Sequence, residues 1–229
     1  MDRIKKLQTF LEHPVLIKKK ENLLYLTGRS FMHGYLLVKP KGADSRGKQA
    51  ARTHAEKPLI VFFGDGLEKP PGVHADILKN VGMYLGRHHV LQLEDQFTFA
   101  EYNYIKLKIK NEKLKIKFKH ARSPVDYQRQ IKDAEEIALI RKSMNIVGKV
   151  FAQVKKQLKN KTWTEIRLAN FIKQAGFSLG AEDIAFPPIV ASGANAAIPH
   201  HIPSSKRLKA GESIIIDFGF KHKNYCSDF

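Results

Sequence analysis

Apolar residues recur along the chain with two periods, and the changes between them predict an alternation of helices and strands. Between positions 2 and 11 the apolar residues have helical spacing, which predicts a short amphipathic helix. Helical spacing returns at 75–85. Short apolar runs predict buried strands at 15–17, 35–38, 59–64 and 90–93. This alternation predicts a small α/β domain over residues 1–120.

One segment of that domain, from Tyr102 to Lys119, fits two interpretations. Apolar residues alternate with lysines at 105–110 and again at 114–119. Period two is typical of a strand with one lysine face in water. We predict a strand for the second half and leave the first half open between helix and strand.

A long amphipathic helix is predicted at the start of the second domain, residues 121–229. Asp133 and Glu136 have the spacing of a capping box, and apolar residues then recur every three or four positions to Leu158. Met144 and Phe151 belong to this apolar series. We therefore interpret both as core residues.

A second helix is predicted from another capping-box pattern, Thr162 and Glu165, and it is expected to end at Gly176. Two strand-like runs follow it. The first covers 186–193, and the second covers 213–217 and ends in a carboxylate.

A predicted chain reversal brings two carboxylates together, Asp217 and Asp228. A polar turn candidate separates them, and a hairpin centred between His222 and Lys223 would place them opposite one another. Opposed residues have Cβ atoms about 4.5–5.5 Å apart, where like charges repel. A hard cation between the carboxylates would relieve this repulsion, so the pattern predicts a metal site. Alternatively, Asp217 caps a turn and Asp228 is a solvated strand-end residue.

Composition narrows the class of protein. The chain has 229 residues, of which 43% are hydrophobic and 27% charged, as in soluble proteins with a core. No apolar run approaches the roughly 20 residues of a membrane span, and the N-terminus lacks the apolar segment of a signal peptide. A single cysteine, Cys226, excludes an internal disulfide and indicates a reducing, cytoplasmic location. We interpret Cys226 as a small core residue.

The charge is strongly basic, with 40 Lys and Arg against 22 Asp and Glu, a net +18. Such an excess attracts nucleic acid non-specifically. The basic residues are mostly lysines spread along the chain, without blocks interleaved with stacking aromatics. We therefore favour a solvated lysine surface and no specific nucleic-acid partner. A nucleic-acid binder would instead lose affinity steeply with salt.

Two stretches resemble one known family. The segment Ser192 to Phe229 resembles the first half of the catalytic domain of the creatinase, Xaa-Pro aminopeptidase and prolidase metallopeptidases, which have the pita-bread fold. Glu21 to Gly28, ENLLYLTG, resembles the signature that opens the N-terminal domain of the same family. His200 stands 17 residues before Asp217, and Asp217 stands 11 before Asp228, as in the family. The matching residues of the catalytic segment are Ser192-Gly193, Asn195, Pro199-His200, Pro203-Ser204, Leu208, Gly211, Asp217-Phe218-Gly219, Tyr225 and Ser227-Asp228.

The resemblance implies a fold: a creatinase-like N-terminal α/β domain over 1–120, then over 121–229 the first half of an α+β pita-bread domain without its C-terminal half. It also implies a peptidase of the Xaa-Pro type that acts on peptide substrates as a homodimer, with no membrane. Family members use a hydroxide that bridges two divalent cations (Mn, Co or Zn).

Roles for individual residues follow from the same resemblance. Asp217 and Asp228 would be the first two metal ligands, and His200 would contact the substrate near the metals as a catalytic residue. His200 and His201 would bind substrate. His201 is a departure, because related peptidases often carry Gly there, and Glu212 stands where Asp is common.

The family's remaining ligands, one His and two Glu, come from strands downstream of the position where this sequence ends, Phe229. Two carboxylates alone would bind metal weakly, since affinity depends on the number of ligands. We expect either a fragment of a longer protein or a shortened, inactive relative, and an end inside an apolar strand favours the fragment. The alternative function is a catalytically inactive binding or scaffold protein of the pita-bread type.

Overall fold

The computed structural model describes residues 2–29, 34–41, 60–64, 73–76, 80–85, 88–111, 115–159 and 163–229. The chain divides into two compact units, Met1–Ile131 and Lys132–Phe229. The predicted boundary at residue 120 falls inside the last strand of the first unit. That strand pairs with its neighbour along its whole length, so the division comes eleven residues later.

The first unit is a six-stranded mixed sheet with helices. Its helices are α1 (Asp2–Phe10), α2 (Lys20–Thr27), α3 (Val81–Leu85), α4 (Phe99–Asn111) and α5 (Pro124–Gln130). Its strands are β1 (Val15–Ile17), β2 (Tyr35–Val38), β3 (Ile60–Phe63), β4 (His74–Asp76), β5 (Val90–Glu94) and β6 (Lys117–Ala121). They follow the order β4-β3-β2-β1-β5-β6. The predicted strands at 15–17, 35–38 and 90–93 are confirmed, and the strand predicted at 59–64 is confirmed over Ile60–Phe63, with Leu59 outside the described residues.

At β1 both faces of this sheet are buried, since successive side chains of the strand point to opposite sides and enter different apolar clusters. β1 runs antiparallel to β2 and parallel to β5. Val15 and Ile17 enter one apolar cluster, and Leu16 between them enters the other. All three side chains are fully buried, which explains why β1 is a continuous apolar run without alternation.

Two segments of the first unit, 75–85 and 102–119, have structures that the sequence pattern predicted wrongly or left open. The predicted helix at 75–85 is instead β4 followed, after residues outside the described part, by the five-residue α3. The open segment is α4 in its first half and β6 in its second. Ile105 and Ile109, four residues apart, are buried, whereas Leu107 is largely exposed. Helical spacing therefore decides this segment, and the alternation with lysines is incidental.

The second unit has two helices on one face of a three-stranded antiparallel sheet. Its helices are α6 (Ala134–Gln157) and α7 (Glu165–Ser178), and its strands are β7 (Asp183–Ser192), β8 (Ile214–His222) and β9 (Tyr225–Cys226). A 3₁₀ turn, Gly193–Ala197, follows β7. The order is β7-β8-β9, and Phe218 and Phe220 of the central strand pack into the cluster formed by the helices.

The predicted capping box at the start of α6 is confirmed. Asp133 accepts a hydrogen bond from the Glu136 amide at 2.9 Å, and the Glu136 carboxylate accepts one from the Asp133 amide at 3.0 Å. The interpretation of Met144 as core is wrong, since Met144 is 40% exposed while Ser143 and Val147 are buried.

Within the described part of the chain, no helix is both long and apolar enough to cross a membrane.

The start of α7 differs from the prediction. Thr164 is the N-cap and accepts a hydrogen bond from the Arg167 amide, and Glu165 is the first helical residue. The predicted cap, Thr162, lies outside the described residues. Gly176 does not end the helix, which continues to Ser178.

Candidate functional site

The strand reversal predicted from the sequence exists, with its centre shifted by one residue. Lys221 pairs with Cys226 and His222 with Tyr225, so the turn consists of Lys223 and Asn224. Both turn residues have positive φ, 46° and 66°. A two-residue hairpin loop requires this backbone conformation because it matches the twist of the strands, and Asn tolerates it well. The predicted centre between His222 and Lys223 is therefore wrong.

The shift leaves Asp217 and Asp228 on the same side of the sheet. The hydrogen bonds Ser227 N to Phe220 O and Phe218 N to Phe229 O place Asp228 across from Gly219. Asp217 lies two residues from Gly219 and therefore shares its face. The two carboxylates are diagonal neighbours instead of a directly opposed pair.

Gly219 lets the two strands approach closely at this point. A Cβ atom built on Gly219 would overlap the carbonyl oxygen of Ser227 and would touch the ring of Phe186. A larger residue would push the segment leading to Asp228 away from β8. The absence of a side chain at Gly219 thus lets the backbone of Ser227, one residue before Asp228, lie against β8.

All four predicted site residues line one cavity of about 520 Å³. Asp217, Asp228, His200 and His201 form its polar part. The remaining lining, which we call the apolar wall, consists of Phe186, Pro187, Pro188, Ile189, Ile202 and Pro203. The cavity combines a carboxylate pair and imidazoles with an apolar surface of the kind that small-molecule and peptide sites use.

The environment of Asp217 favours a cation. Its Oδ1 atom is buried and has no hydrogen-bond partner among the described residues. Burial raises the pKa of Asp217, the Asp228 charge raises it further, and His200 lowers it. An unpartnered carboxylate oxygen beside a second carboxylate is costly unless a positive group joins it. Both residues therefore fit the role of metal ligands.

The rest of a complete ligand set is not found in the part of the chain that the structure describes. No group of three or more His, Cys, Asp and Glu side chains there is arranged to hold a metal ion. Two carboxylates provide at most half of the four to six ligands that divalent metals take in stable protein sites.

The two histidines lie in a segment that runs beside the start of α7; we call residues 192–204 the histidine loop. The Ile166 amide donates to the Ser204 carbonyl at 2.9 Å, and the Glu165 amide donates to the Lys206 carbonyl at 3.1 Å. Within the loop, His200 has φ of 55°. This backbone region is strained for a residue other than Gly, and such strain persists only where the surroundings fix it.

A buried carboxylate that sequence reasoning missed, Glu165, holds this loop. Its side chain has no exposed surface. Oε1 accepts from the Ser192 amide (2.8 Å), the Ser192 hydroxyl (2.9 Å) and the Asn195 amide group (3.0 Å). Oε2 accepts from the Ser204 amide (3.1 Å) and the Ser204 hydroxyl (2.7 Å), and lies 2.9 Å from His201 Nε2.

These contacts keep Glu165 ionised. Burial alone would raise the pKa of Glu165, but hydrogen bonds from Ser204, His201, the Ser192 amide and Asn195 outweigh burial and hold the pKa well below its usual range. A signal was present in the sequence. Glu165 stands at the head of the apolar stripe of its helix, three and four residues before the buried Leu168 and Ala169.

Two serines fix the strand that leads to Asp228. Ser143 on α6 donates to the Phe220 carbonyl at 2.7 Å and lies 2.9 Å from the Ser227 hydroxyl. The Phe220 amide donates to the Ser227 hydroxyl at 3.0 Å. Ser227 is thus bonded both to β8 and to a helix, one residue before Asp228.

Cys226 is exposed, so its interpretation as a core residue is wrong.

Residues 138–229 match the metallopeptidase family M24. A Mycoplasma pneumoniae relative is 30% identical over 218 residues, which cover 93% of this chain and 57% of the relative. The Xaa-Pro dipeptidase of Pyrococcus furiosus is 29% identical over 237 residues, which cover 99% of this chain and 63% of that protein. The resemblance to the prolidase and Xaa-Pro aminopeptidase family is therefore confirmed.

Solved structures of the same group match the fold. The Xaa-Pro dipeptidase from Bacillus anthracis superposes with a TM-score of 0.80 at 22% identity, covering all of this chain and 63% of that one. The prolidase from Pyrococcus horikoshii gives 0.79 at 24% identity, with the same coverage. The α/β first unit and the partial pita-bread second unit are thus confirmed as the fold. The chain spans 57 to 63% of the length of the curated relatives that it matches nearly end to end.

Proposed function

The chain has a family M24 metallopeptidase region over residues 138–229, and from this premise we propose that its cavity belongs to a peptidase of the Xaa-Pro aminopeptidase or dipeptidase type. The observation that supports the proposal is the meeting of Asp217, Asp228 and His200 in one cavity with an apolar wall. A peptide needs such a combination: a polar end for the scissile bond and an apolar surface for side chains.

Each residue has a proposed role. Asp217 and Asp228 supply carboxylate oxygens to divalent cations, Mn, Co or Zn. When bound, the cations supply Lewis acidity and a water of lowered pKa. His200 donates a hydrogen bond to the peptide carbonyl, where negative charge develops. The apolar wall packs against the peptide side chains and excludes water from the bond to be cleaved.

The second candidate function is a catalytically inactive binding or scaffold protein with the same fold. The observation that favours it is the lack, among the described side chains, of a metal-ligand group larger than the carboxylate pair. In this case the cavity binds peptide without hydrolysis. Fold alone does not choose between the two functions.

Metal binding tests the role of Asp217. We expect the 229-residue chain to bind Mn²⁺ weakly, with a Kd on the order of millimolar, because two carboxylates form an incomplete site. Asp217→Asn should weaken binding at least about tenfold. The matched control is Asp183→Asn, which makes the same change at an exposed position on β7, next to Lys221. Calorimetric titration that gives equal affinities for wild type and Asp217→Asn would remove the metal role.

Peptide hydrolysis separates the two candidate functions. With Mn²⁺ at a concentration above its expected Kd, the peptidase proposal predicts cleavage of Ala-Pro and slower cleavage of Ala-Ala. It also predicts that His200→Ala abolishes the activity. The scaffold proposal predicts that Ala-Pro binds and stays intact.

We also propose a cytoplasmic location, from the single cysteine, and a homodimer, from the family resemblance. Light scattering of the purified chain tests the dimer.

A further inference from the structure

We propose that Glu165 is a positioning residue of the cavity: its carboxylate fixes the conformation of the histidine loop and, through His201, the ring orientation that the cavity presents. This inference rests on the proposed function, because the histidine loop would be the part of the cavity that meets the peptide. Glu165 itself is not among the residues that line the cavity. It acts through the residues that do.

The reason lies in how the buried charge is satisfied. An ionised carboxylate without exposed surface must be hydrogen-bonded, since burying it unpaired costs several kcal/mol or more. Every side chain that bonds to Glu165 in the described contacts comes from the histidine loop: Ser192, Asn195, His201 and Ser204. The loop therefore replaces water around this charge. A loop conformation that withdraws these donors would remove the hydrogen bonds that satisfy the charge, so the charge favours the conformation observed.

The strained backbone of His200 is explained by the same contacts. His200 has positive φ and is largely exposed, so its own side-chain packing does not account for its conformation. Glu165 bonds to the residue directly after it, His201, and to Ser204 three residues further on. Fixed residues on the C-terminal side, together with Asn195 on the N-terminal side, leave His200 little freedom.

The tautomer of His201 follows from the donor count. A carboxylate only accepts hydrogen bonds when ionised, so the imidazole atom facing it, Nε2, carries the hydrogen. In the neutral ring, Nδ1 is then the acceptor. Glu165 thus determines which nitrogen of His201 can pair with a polar group of a ligand, as a carboxylate behind an imidazole does in many active sites.

Histidine NMR with ¹⁵N-labelled rings tests the proposal on the full chain. We expect His201 of the wild type to carry hydrogen on Nε2, and Glu165→Gln to give a mixture of tautomers. Amide hydrogen exchange in the histidine loop should become at least about tenfold faster in this variant. The matched control is Glu136→Gln, since Glu136 is a buried carboxylate of the same unit that caps α6 and bonds to Tyr225. Histidine signals that Glu165→Gln leaves unchanged, or that Glu136→Gln alters equally, would overturn the proposal.

A milder variant keeps the test decisive if Glu165→Gln does not fold. Ser204→Ala removes the 2.7 Å hydroxyl donor to Glu165 and leaves its charge in place. We expect faster amide exchange at His200 and His201 with exchange in β7 and β8 unchanged. Unchanged exchange at both histidines would contradict the role of Glu165.

Adding Ala-Pro distinguishes this proposal from the function on which it rests. A peptide site requires that Ala-Pro shift the His200 and His201 signals of the wild type, and that Glu165→Gln weaken this binding at least about tenfold. If Ala-Pro shifts neither histidine, the proposed function fails, while the tautomer and exchange results still decide whether Glu165 positions the loop.

Discussion

At the scale of single residues, the second unit contains two acidic side chains whose pKa burial raises but whose hydrogen-bond surroundings differ. Glu165 is surrounded by donors and is held ionised, whereas Asp217 has a buried oxygen without a described partner and an acidic neighbour. The first arrangement stabilises the fold, and the second opposes it. Residues that lower the stability of the folded state in this way are common where a site binds a charged ligand.

Removing the charge of Asp217 should therefore stabilise the metal-free chain. A carboxyl whose pKa is raised by burial and by Asp228 costs folding energy at every pH where it is ionised. We expect Asp217→Asn to raise the free energy of unfolding by roughly 0.5–1 kcal/mol at pH 7, the scale of a partly screened charge pair. Urea unfolding without metal measures this. The control, Asp183→Asn, loses an ion pair with Lys221 and should change stability little or lower it. A destabilised Asp217→Asn would contradict the assignment.

What the sequence could predict at this scale depended on how local the signal was. Asp217 and Asp228 were identifiable because the reversal that joins them takes only a few residues. Glu165 was missed because its partners lie 27 to 39 residues away, and because Thr162 offered a local capping pattern that explained a glutamate at that position. A carboxylate at the head of an apolar stripe was the available signal.

At the scale of elements, the site depends on how closely α7 approaches the central strand β8. Gly176 faces Phe220, and a Cβ atom at Gly176 would overlap the phenylalanine ring. Phe220 belongs to the strand that carries Asp217, and its backbone groups bond to Ser143 and Ser227. The distance between α7 and β8 therefore affects the positions of both aspartates, Asp217 through β8 itself and Asp228 through Ser227.

Gly176→Ala should separate these two elements. Overfilling a packed contact costs roughly 1–3 kcal/mol, so we expect a loss of stability of this size. Gly148→Ala in α6 is the matched control, because a Cβ atom there meets nothing within 4 Å. Alanine at that exposed helical position should stabilise by about 0.5–1 kcal/mol. Thermal unfolding followed by the fluorescence of Trp163, the only tryptophan, compares the two variants. Equal effects would show that the contact with Phe220 is unimportant.

The sequence predicts the type of an element well where one hydrophobic period dominates. It predicts the buried face of a helix and the centre of a turn less well. α6 follows its capping box and its stripe, although the buried face is rotated away from Met144. The hairpin centre moved by one residue because the φ angles that Lys223 and Asn224 adopt decide the register. The polar run at 221–224 has four residues and does not reveal which pair adopts these angles. In α4, two periods coincided and tertiary burial decided between them.

At the scale of the whole molecule, each of the two units contains an acidic side chain whose pKa is lowered by its contacts. In the first unit this residue is Glu101: burial raises its pKa, but Lys18, the Thr98 amide and Tyr35 lower it to about 2. In the second unit it is Glu165. Both units should therefore lose stability in acid. In the first unit Asp126 contributes as well, because burial raises its pKa but hydrogen bonds from Lys19 and Asn22 lower it overall.

The pH range for the first unit follows from Glu101. A carboxylate whose pKa is lower in the folded state stabilises at pH values above its unfolded pKa, and this contribution is lost as the pH falls toward the folded value. The difference between the ordinary 4.5 and about 2 corresponds to roughly 3 kcal/mol. Because the Glu101 side chain is 24% exposed, solvent screens part of this energy, and we expect a loss on the order of 2 kcal/mol. Hydrogen exchange of the β5 amides at several pH values measures it. Glu101→Gln should be less stable at pH 7 and should lose less stability than wild type over this range, and Asp126 accounts for the loss that remains. An unchanged pH dependence in this variant would contradict the assignment.

β1 lies in the middle of its sheet although it precedes the other five strands of that sheet along the chain. One edge can pair with β2 within about twenty residues, but the other edge must wait for β5, which begins at Val90. On the ribosome, an emerging chain therefore exposes a fully apolar strand with unpaired amides for most of the synthesis of its first unit. Chaperones that recognise extended apolar segments should bind nascent chains of this protein before β5 emerges and release them afterwards.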